Sequence, residues 1–342
     1  MQIDAEYWAL FFFSTLLGVL ITKQVMKLAV KYDAVDKPSH RKVHRSLIPL
    51  WGGVGIYGAF FITLLVYLMF SRLFGPALGL NSGLLAGKLF GLFIGSTILV
   101  GVGLIDDKWG LPPKVKLLGQ IVVALIVIYF GVRIMGVTIP FWNKYLHFPL
   151  VVSVVITLIW IVALINSMNF IDGIDGLAGG IAFIGCIAFF CIAYFKPPGT
   201  GFYIAGKVSF FISVISIVLA GSVLGFLRFN FNPARVFMGD GGSMFLGLML
   251  ASISIIGSFK GVTAITLFTP ALILTVPIFD IVFAVYRRCK DQTPLSQADK
   301  KHLHHRLMAF GLSQKQAVLL LYAAAIVFAG LAVALSYFNI RY

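Results

Sequence analysis

Ten stretches of this sequence are apolar for long enough to cross a bilayer as helices, and inside hydrocarbon a chain has few other choices. A spanning helix needs about 20 residues, because the hydrocarbon core is about 30 Å thick and each helical residue adds about 1.5 Å. Backbone N–H and C=O groups in lipid must also pair within the structure itself. The stretches run approximately 7–30, 51–73, 88–105, 115–132, 149–167, 177–195, 208–227, 243–259, 262–285 and 316–338. They predict an all-α integral membrane protein, organised as one polytopic domain over residues 1–342. Composition agrees: 60% of residues are hydrophobic, 11% are charged, and the mean hydropathy is +0.99. These values lie outside the range of soluble domains.

The net charge of +15 invites a nucleic-acid reading, but in a membrane protein the side on which the charges fall comes first. Nineteen of the 27 Lys and Arg residues lie in one set of loops and the adjoining helix end, and the other eight lie in the alternate set. The positive-inside rule makes the first side cytoplasmic and places both termini outside. Asp4 and Glu6 are outside, while the other ten Asp and all His except His147 fall on the basic side. Chemistry is therefore expected at the inner face of the plasma or inner membrane. Acids at the start of the chain and the lack of a small-residue cleavage pattern make the first run an anchor rather than a cleaved signal. Cys186, Cys191 and Cys289 form no disulfide framework. No tandem repeat or low-complexity segment is visible.

Four polar groups interrupt the apolar pattern on that side. Asp106 and Asp107 end the third run, with Lys108, Lys114 and Lys116 after them. Adjacent carboxylates repel where water is scarce, and a hard divalent cation relieves that repulsion. Mg²⁺, with Mn²⁺ as the alternative, takes one or two carboxylates together with substrate phosphates. The stretch Asn166–Gly180 holds Asn169, Asp172 and Asp175 at helical spacing among four glycines. Helix capping accounts for one such residue, hardly for three. Phe229 to Ser243 carries Asn230, Phe237 and then Asp240 among Gly239, Gly241 and Gly242, where a helix N-terminus favours a phosphate. His302-Leu-His304-His305-Arg306 follows Lys300 and Lys301 and suits an anionic lipid or a diphosphate better than zinc. Ser296 to Asp299 reads as a capping box, Gly311 as a helix stop, and Leu303, Leu307 and Phe310 as the apolar face of an interfacial helix. Asp280 is an intramembrane acid with Arg287 or Arg288 as its expected partner.

In this order, Asp-Asp at 106–107, Asn-Phe-Ile-Asp-Gly-Ile-Asp-Gly at 169–176, Phe-Met-Gly-Asp-Gly-Gly-Ser at 237–243 and the His segment resemble the polyprenyl-phosphate N-acetylhexosamine-1-phosphate transferases. The resemblance covers essentially the whole chain. It implies transfer of a sugar 1-phosphate from a UDP-sugar to a polyprenyl phosphate, giving polyprenyl-diphosphate-sugar and UMP. Asp106, Asp107 and Asp240 would form the Mg²⁺ and acid–base site, with His305 as a further catalytic residue. Asn169, Asp172 and Phe237 would line the nucleotide pocket. His304 and His305 would meet phosphate or sugar, and Arg45 would be a basic phosphate contact. Lys114, Lys116, Asp175, Asn230, His302 and Arg306 complete the substrate-binding candidates.

Arg306 after the His pair, and Leu50 before Trp51-Gly-Gly, resemble the branch that uses UDP-N-acetylglucosamine rather than UDP-MurNAc-pentapeptide. The muramoyl-pentapeptide transferases of peptidoglycan synthesis are the alternative reading. A secondary transporter is the remote one, since transporters place ionisable groups near the midplane. Direct displacement and a covalent aspartyl intermediate both stay open. Expected partners are UDP-N-acetylglucosamine, the lipid phosphate, the membrane and a second copy in a homodimer, with no nucleic acid.

Overall fold

The computed structural model describes residues 4–37, 47–74, 83–139, 144–195, 203–257, 265–290, 292 and 303–341. Twelve helices appear among them: α1 Ala5–Lys31, α2 Gly52–Phe74, α3 Gly83–Trp109, α4 Pro113–Tyr129, α5 Leu150–Ile171, α6 Leu177–Tyr194, α7 Tyr203–Asn230, α8 Gly239–Gly257, α9 Ile265–Ile273, α10 Thr275–Lys290, α11 Leu303–Ala309 and α12 Gln314–Arg341. Eight of these, α1, α2, α3, α5, α6, α7, α8 and α12, are long and apolar enough to cross a membrane.

The other two expected spans differ in form. The run 115–132 becomes α4, whose 17 residues extend roughly 25 Å. The run 262–285 divides into α9 and α10 around Leu274. Pro277 has no N–H to offer the carbonyl of Ile273, so the ladder breaks there. The helical turns on either side persist, with Leu274 N–H donating to Pro270 O and Ile278 N–H to Leu274 O, both at 3.0 Å. The Pro277 carbonyl accepts the hydroxyl of Ser167 from α5.

Two short antiparallel ladders modify the all-α expectation. Strand β1, Val35–Asp36, pairs with β2, Ile48–Pro49, and β3, Gly136–Ile139, pairs with β4, Lys144–His147. Alternation over so few residues leaves almost no period-2 signal to detect.

The core forms around α7 and α8. Every residue of α8 from Gly241 to Ile256 is buried, with α3 and α5 packed along it. Small residues permit this closeness: a methyl on Gly53 of α2 would overlap Gly242 Cα, and one on Gly103 of α3 would overlap Gly241 Cα. Buried hydroxyls bond back along their own helices, as Ser222 Oγ does to Val218 O at 2.9 Å and Ser254 Oγ to Ala251 O at 2.6 Å. By contrast Phe12, Leu16 and Leu20 of α1 point outward, as residues facing lipid tails do. The C-terminal ends of α3, α5 and α7 and the N-terminal ends of α2, α4, α6 and α8 meet at one end of the bundle.

Candidate active site

That shared end brings together acids that lie far apart in the sequence. Asp106 and Asp107 occupy the last turn of α3, and neighbours on a helix point about 100° apart, so their carboxylates diverge. Asp106 Oδ1 accepts the N–H of Leu111 at 2.6 Å, and its Oδ2 pairs with Lys116 Nζ. Asp107 Oδ1 accepts the N–H of Asp240 at 2.8 Å, while its Oδ2 is buried with no hydrogen-bond partner. Asp240 extends Oδ2 to Lys116 Nζ at 2.7 Å and Oδ1 to Asn169 Nδ2 at 3.1 Å. Asn169 Nδ2 also reaches Ser243 Oγ at 2.9 Å, one turn further along α8. A single ammonium thus serves two of three crowded carboxylates, with the positive end of the α8 dipole beside them.

Asp172 caps the C-terminus of α5. Burial first, and then the carboxylates of Asp240, Asp107 and Asp175, hold its carboxyl well above the usual carboxylate range. Next to it, Gly173 supports α11: a Cβ there would lie 2.7 Å from Nε2 of the buried His304. His304 and His305 lie side by side with ring centroids 4.3 Å apart. Asp280 of α10 accepts the N–H of Leu303 at 2.8 Å and so anchors the start of α11. Arg288, one of its two expected partners, lies 5.9 Å over the Phe170 ring. Helix α11 is docked rather than lying loosely on the surface. Leu303 and Leu307 pack on the core, whereas Phe310, expected on the same face, is exposed past the end of the helix. Gly311 has φ +93°, a left-handed conformation that glycine readily adopts as a helix stop.

The remaining candidates are placed differently. Asp175 Oδ2 accepts from Asn232 Nδ2 at 3.1 Å and from Ala234 N–H at 3.0 Å, so it holds the loop before α8. Asn230 is buried, with Oδ1 accepting Gly176 N–H at 3.0 Å and Nδ2 donating to Val236 O at 2.9 Å. Both ends of its amide are engaged by backbone, which makes it a clamp between α6 and the α7–α8 loop. Phe237 is half-buried and fixes the start of α2, its carbonyl accepting Gly52 N–H and its N–H donating to Pro49 O, each at 2.9 Å. Lys114 and Arg306 are exposed. Arg45, His302 and the capping box at 296–299 lie outside the described residues.

Among the described residues, no three His, Cys, Asp or Glu side chains are arranged as a ready metal site. Lys116 and Asn169 already occupy oxygens of Asp106 and Asp240. The donor chemistry still fits a hard divalent cation that takes one or two carboxylates and completes its shell with phosphate oxygens and water. The buried, unpartnered Asp107 Oδ2 is the oxygen most in need of such a partner. Sequence reasoning missed Ser243, which reads as an ordinary small residue in an apolar helix, and Gln120, which is isolated in α4.

Residues 89–258 match the family described as glycosyl transferase family 4. The chain is 37% identical over 329 residues to a probable undecaprenyl-phosphate N-acetylglucosaminyl 1-phosphate transferase of Bacillus subtilis, covering 93% of this chain and 82% of that one. It is 34% identical over 320 residues to a decaprenyl-phosphate N-acetylglucosaminephosphotransferase of Mycobacterium tuberculosis, covering 88% and 75%. An undecaprenyl-phosphate alpha-N-acetylglucosaminyl 1-phosphate transferase of Escherichia coli is 28% identical over 349 residues, covering 98% and 85%.

Proposed function

This chain belongs to glycosyl transferase family 4, and we propose that it transfers N-acetylglucosamine 1-phosphate from UDP-N-acetylglucosamine to a polyprenyl phosphate. An oxygen of the lipid phosphate bonds to the sugar-bearing phosphorus, the bond from that phosphorus to the UMP oxygen breaks, and UMP leaves with the electron pair. The observation that carries the reading is the convergence of Asp106, Asp107, Lys116, Asn169 and Asp240 from four helices at one end of the bundle.

Joining two phosphate-bearing molecules demands charge neutralisation above all. Lys116 supplies one positive charge between Asp106 and Asp240. The Asp240 N–H, in the first turn of α8, points into the same space and fixes the rotamer of Asp107. Asp106, Asp107 and Asp240 would hold Mg²⁺, or Mn²⁺ in its place, which when bound screens the repulsion between the two phosphates and polarises the transferred one. Asn169 and Asp172 flank the nucleotide side, with Phe237 as its apolar wall, and His304 and His305 close the site from α11. Arg45 and His302 belong to the basic segments that would meet phosphate. A lipid-borne acceptor accounts for a site at the end of a membrane bundle, and the bias of Lys and Arg towards that end supports a cytoplasmic location.

The test is UMP release by the purified protein supplied with UDP-N-acetylglucosamine, undecaprenyl phosphate and Mg²⁺. Release that depends on both substrates and stops with EDTA is expected, and release indifferent to the lipid refutes the proposal. The relatives' names give no support to the muramoyl-pentapeptide reading, and acids at a bundle end rather than its midplane give none to a transporter.

A further inference from the structure

One turn deeper in the bundle than the carboxylates lies a second polar layer that the proposed chemistry does not use. Gln120 is four residues after Lys116 on α4, Asn166 three before Asn169 on α5, and Met244 four after Asp240 on α8. Each therefore sits beneath a member of the site on the same helical face. Asn166 Nδ2 donates to Gln120 Oε1 at 2.6 Å and to Val162 O at 2.8 Å. Gln120 Nε2 turns to Asn166 Oδ1 at 3.4 Å and to Met244 Sδ at 3.6 Å. Gln120 is buried at 3% exposure, where an amide without a partner is costly.

We propose that Gln120 and Asn166 form a register clasp that fixes the height of α4 against α5 and so keeps the Lys116 ammonium between Asp106 and Asp240. Sliding α4 along α5 would part the two amides and at the same time withdraw Nζ from both carboxylates. An apolar contact at this level would tolerate such a slide, because it has no directional preference. Both residues are positioning residues, since they reach the reacting groups only through Lys116 and Asn169.

The test compares Gln120→Met, which keeps length and apolar packing, with the exchange Gln120→Asn/Asn166→Gln, which keeps both amides, and with Ser254→Ala. The last removes a distant polar contact from Trp160 Nε1 to Ser254 Oγ, which measures 2.9 Å. The inference rests on the proposed transferase activity, so UMP release by the unaltered protein is measured first, and its absence counts against that activity rather than against the clasp. Given activity, Gln120→Met lowers kcat about 30-fold while KM for UDP-N-acetylglucosamine stays within about twofold, as misplacement without lost contact does. The exchanged pair recovers most of that loss, and Ser254→Ala lowers the thermal midpoint in detergent while leaving kcat unchanged. The clasp is refuted if Gln120→Met keeps kcat within about threefold, if Ser254→Ala loses as much kcat at equal thermal loss, or if the exchanged pair recovers nothing.

Discussion

Two neighbouring regions use the same residue types to opposite ends. At the junction of α3, α4, α5 and α8, Asp106, Asp107 and Asp240 crowd around one lysine, and Asp107 keeps an oxygen without a hydrogen bond. At the turn into α6, Asp175 accepts two N–H donors and Asn230 is bonded at both ends. The first arrangement stores unmet demand for positive charge, and the second spends its polar groups on amide and backbone partners. Satisfied carboxylates and amides hold loops, whereas unsatisfied ones await a ligand. Polarity alone therefore does not mark the site.

Charge removal in the crowded region should break this contrast most severely. Asp107→Asn keeps an acceptor for the Asp240 N–H, so the protein folds, yet UMP release should fall by about 10³-fold or more, as loss of a major charge-stabilising group does in phosphoryl transfer. Wild-type turnover would show that the carboxylate charge is dispensable. Lys116→Met should cost about 10²-fold in kcat, within the range for one lost electrostatic donor. It should also lower the Mg²⁺ concentration that gives half-maximal activity, because Asp106 and Asp240 lose the ammonium that competes with the cation for their oxygens. A titration of activity against Mg²⁺ separates the two effects.

In the satisfied region the losses should fall on stability instead. Asn230→Ala leaves Gly176 N–H and Val236 O unpaired and should cost about 1–3 kcal/mol for each buried group left unsatisfied, read as a lower thermal midpoint in detergent. The activity of the molecules that remain folded should change little, and a large loss of kcat at unchanged stability would make Asn230 a substrate contact after all. Smallest of all, Tyr322→Phe removes the hydroxyl that donates to Gly176 O at 2.5 Å. It should lower the midpoint by an amount equivalent to about 1 kcal/mol and leave turnover intact.

Run length was enough to find the long helices, because lipid imposes a minimum span and few sequences reach it by accident. It failed where local chemistry intervenes: Pro277 splits the ninth run, α4 is short, and the β3–β4 ladder has too few residues for a period. The acids of the site were legible because carboxylates in an apolar chain are conspicuous. Their partners were less so. Ser243 and Gln120 gain meaning only from residues that approach through the fold, as when Asn169 reaches Ser243 across 74 positions of sequence. Nor could spacing tell that Asp172 faces the acids while Asp175 faces a loop, since both would fit one helical face, whereas the helix ends just before them, at Ile171.

Where Gly53 and Gly103 press on Gly242 and Gly241, main chain lies against main chain with no side chain between to yield. The wall that carries Asp107 and Asp240 is in consequence a fixed anvil. Any adjustment to a bulky nucleotide and a long isoprenoid has to come from side chains around that anvil rather than from a shift of α2 or α3 against α8.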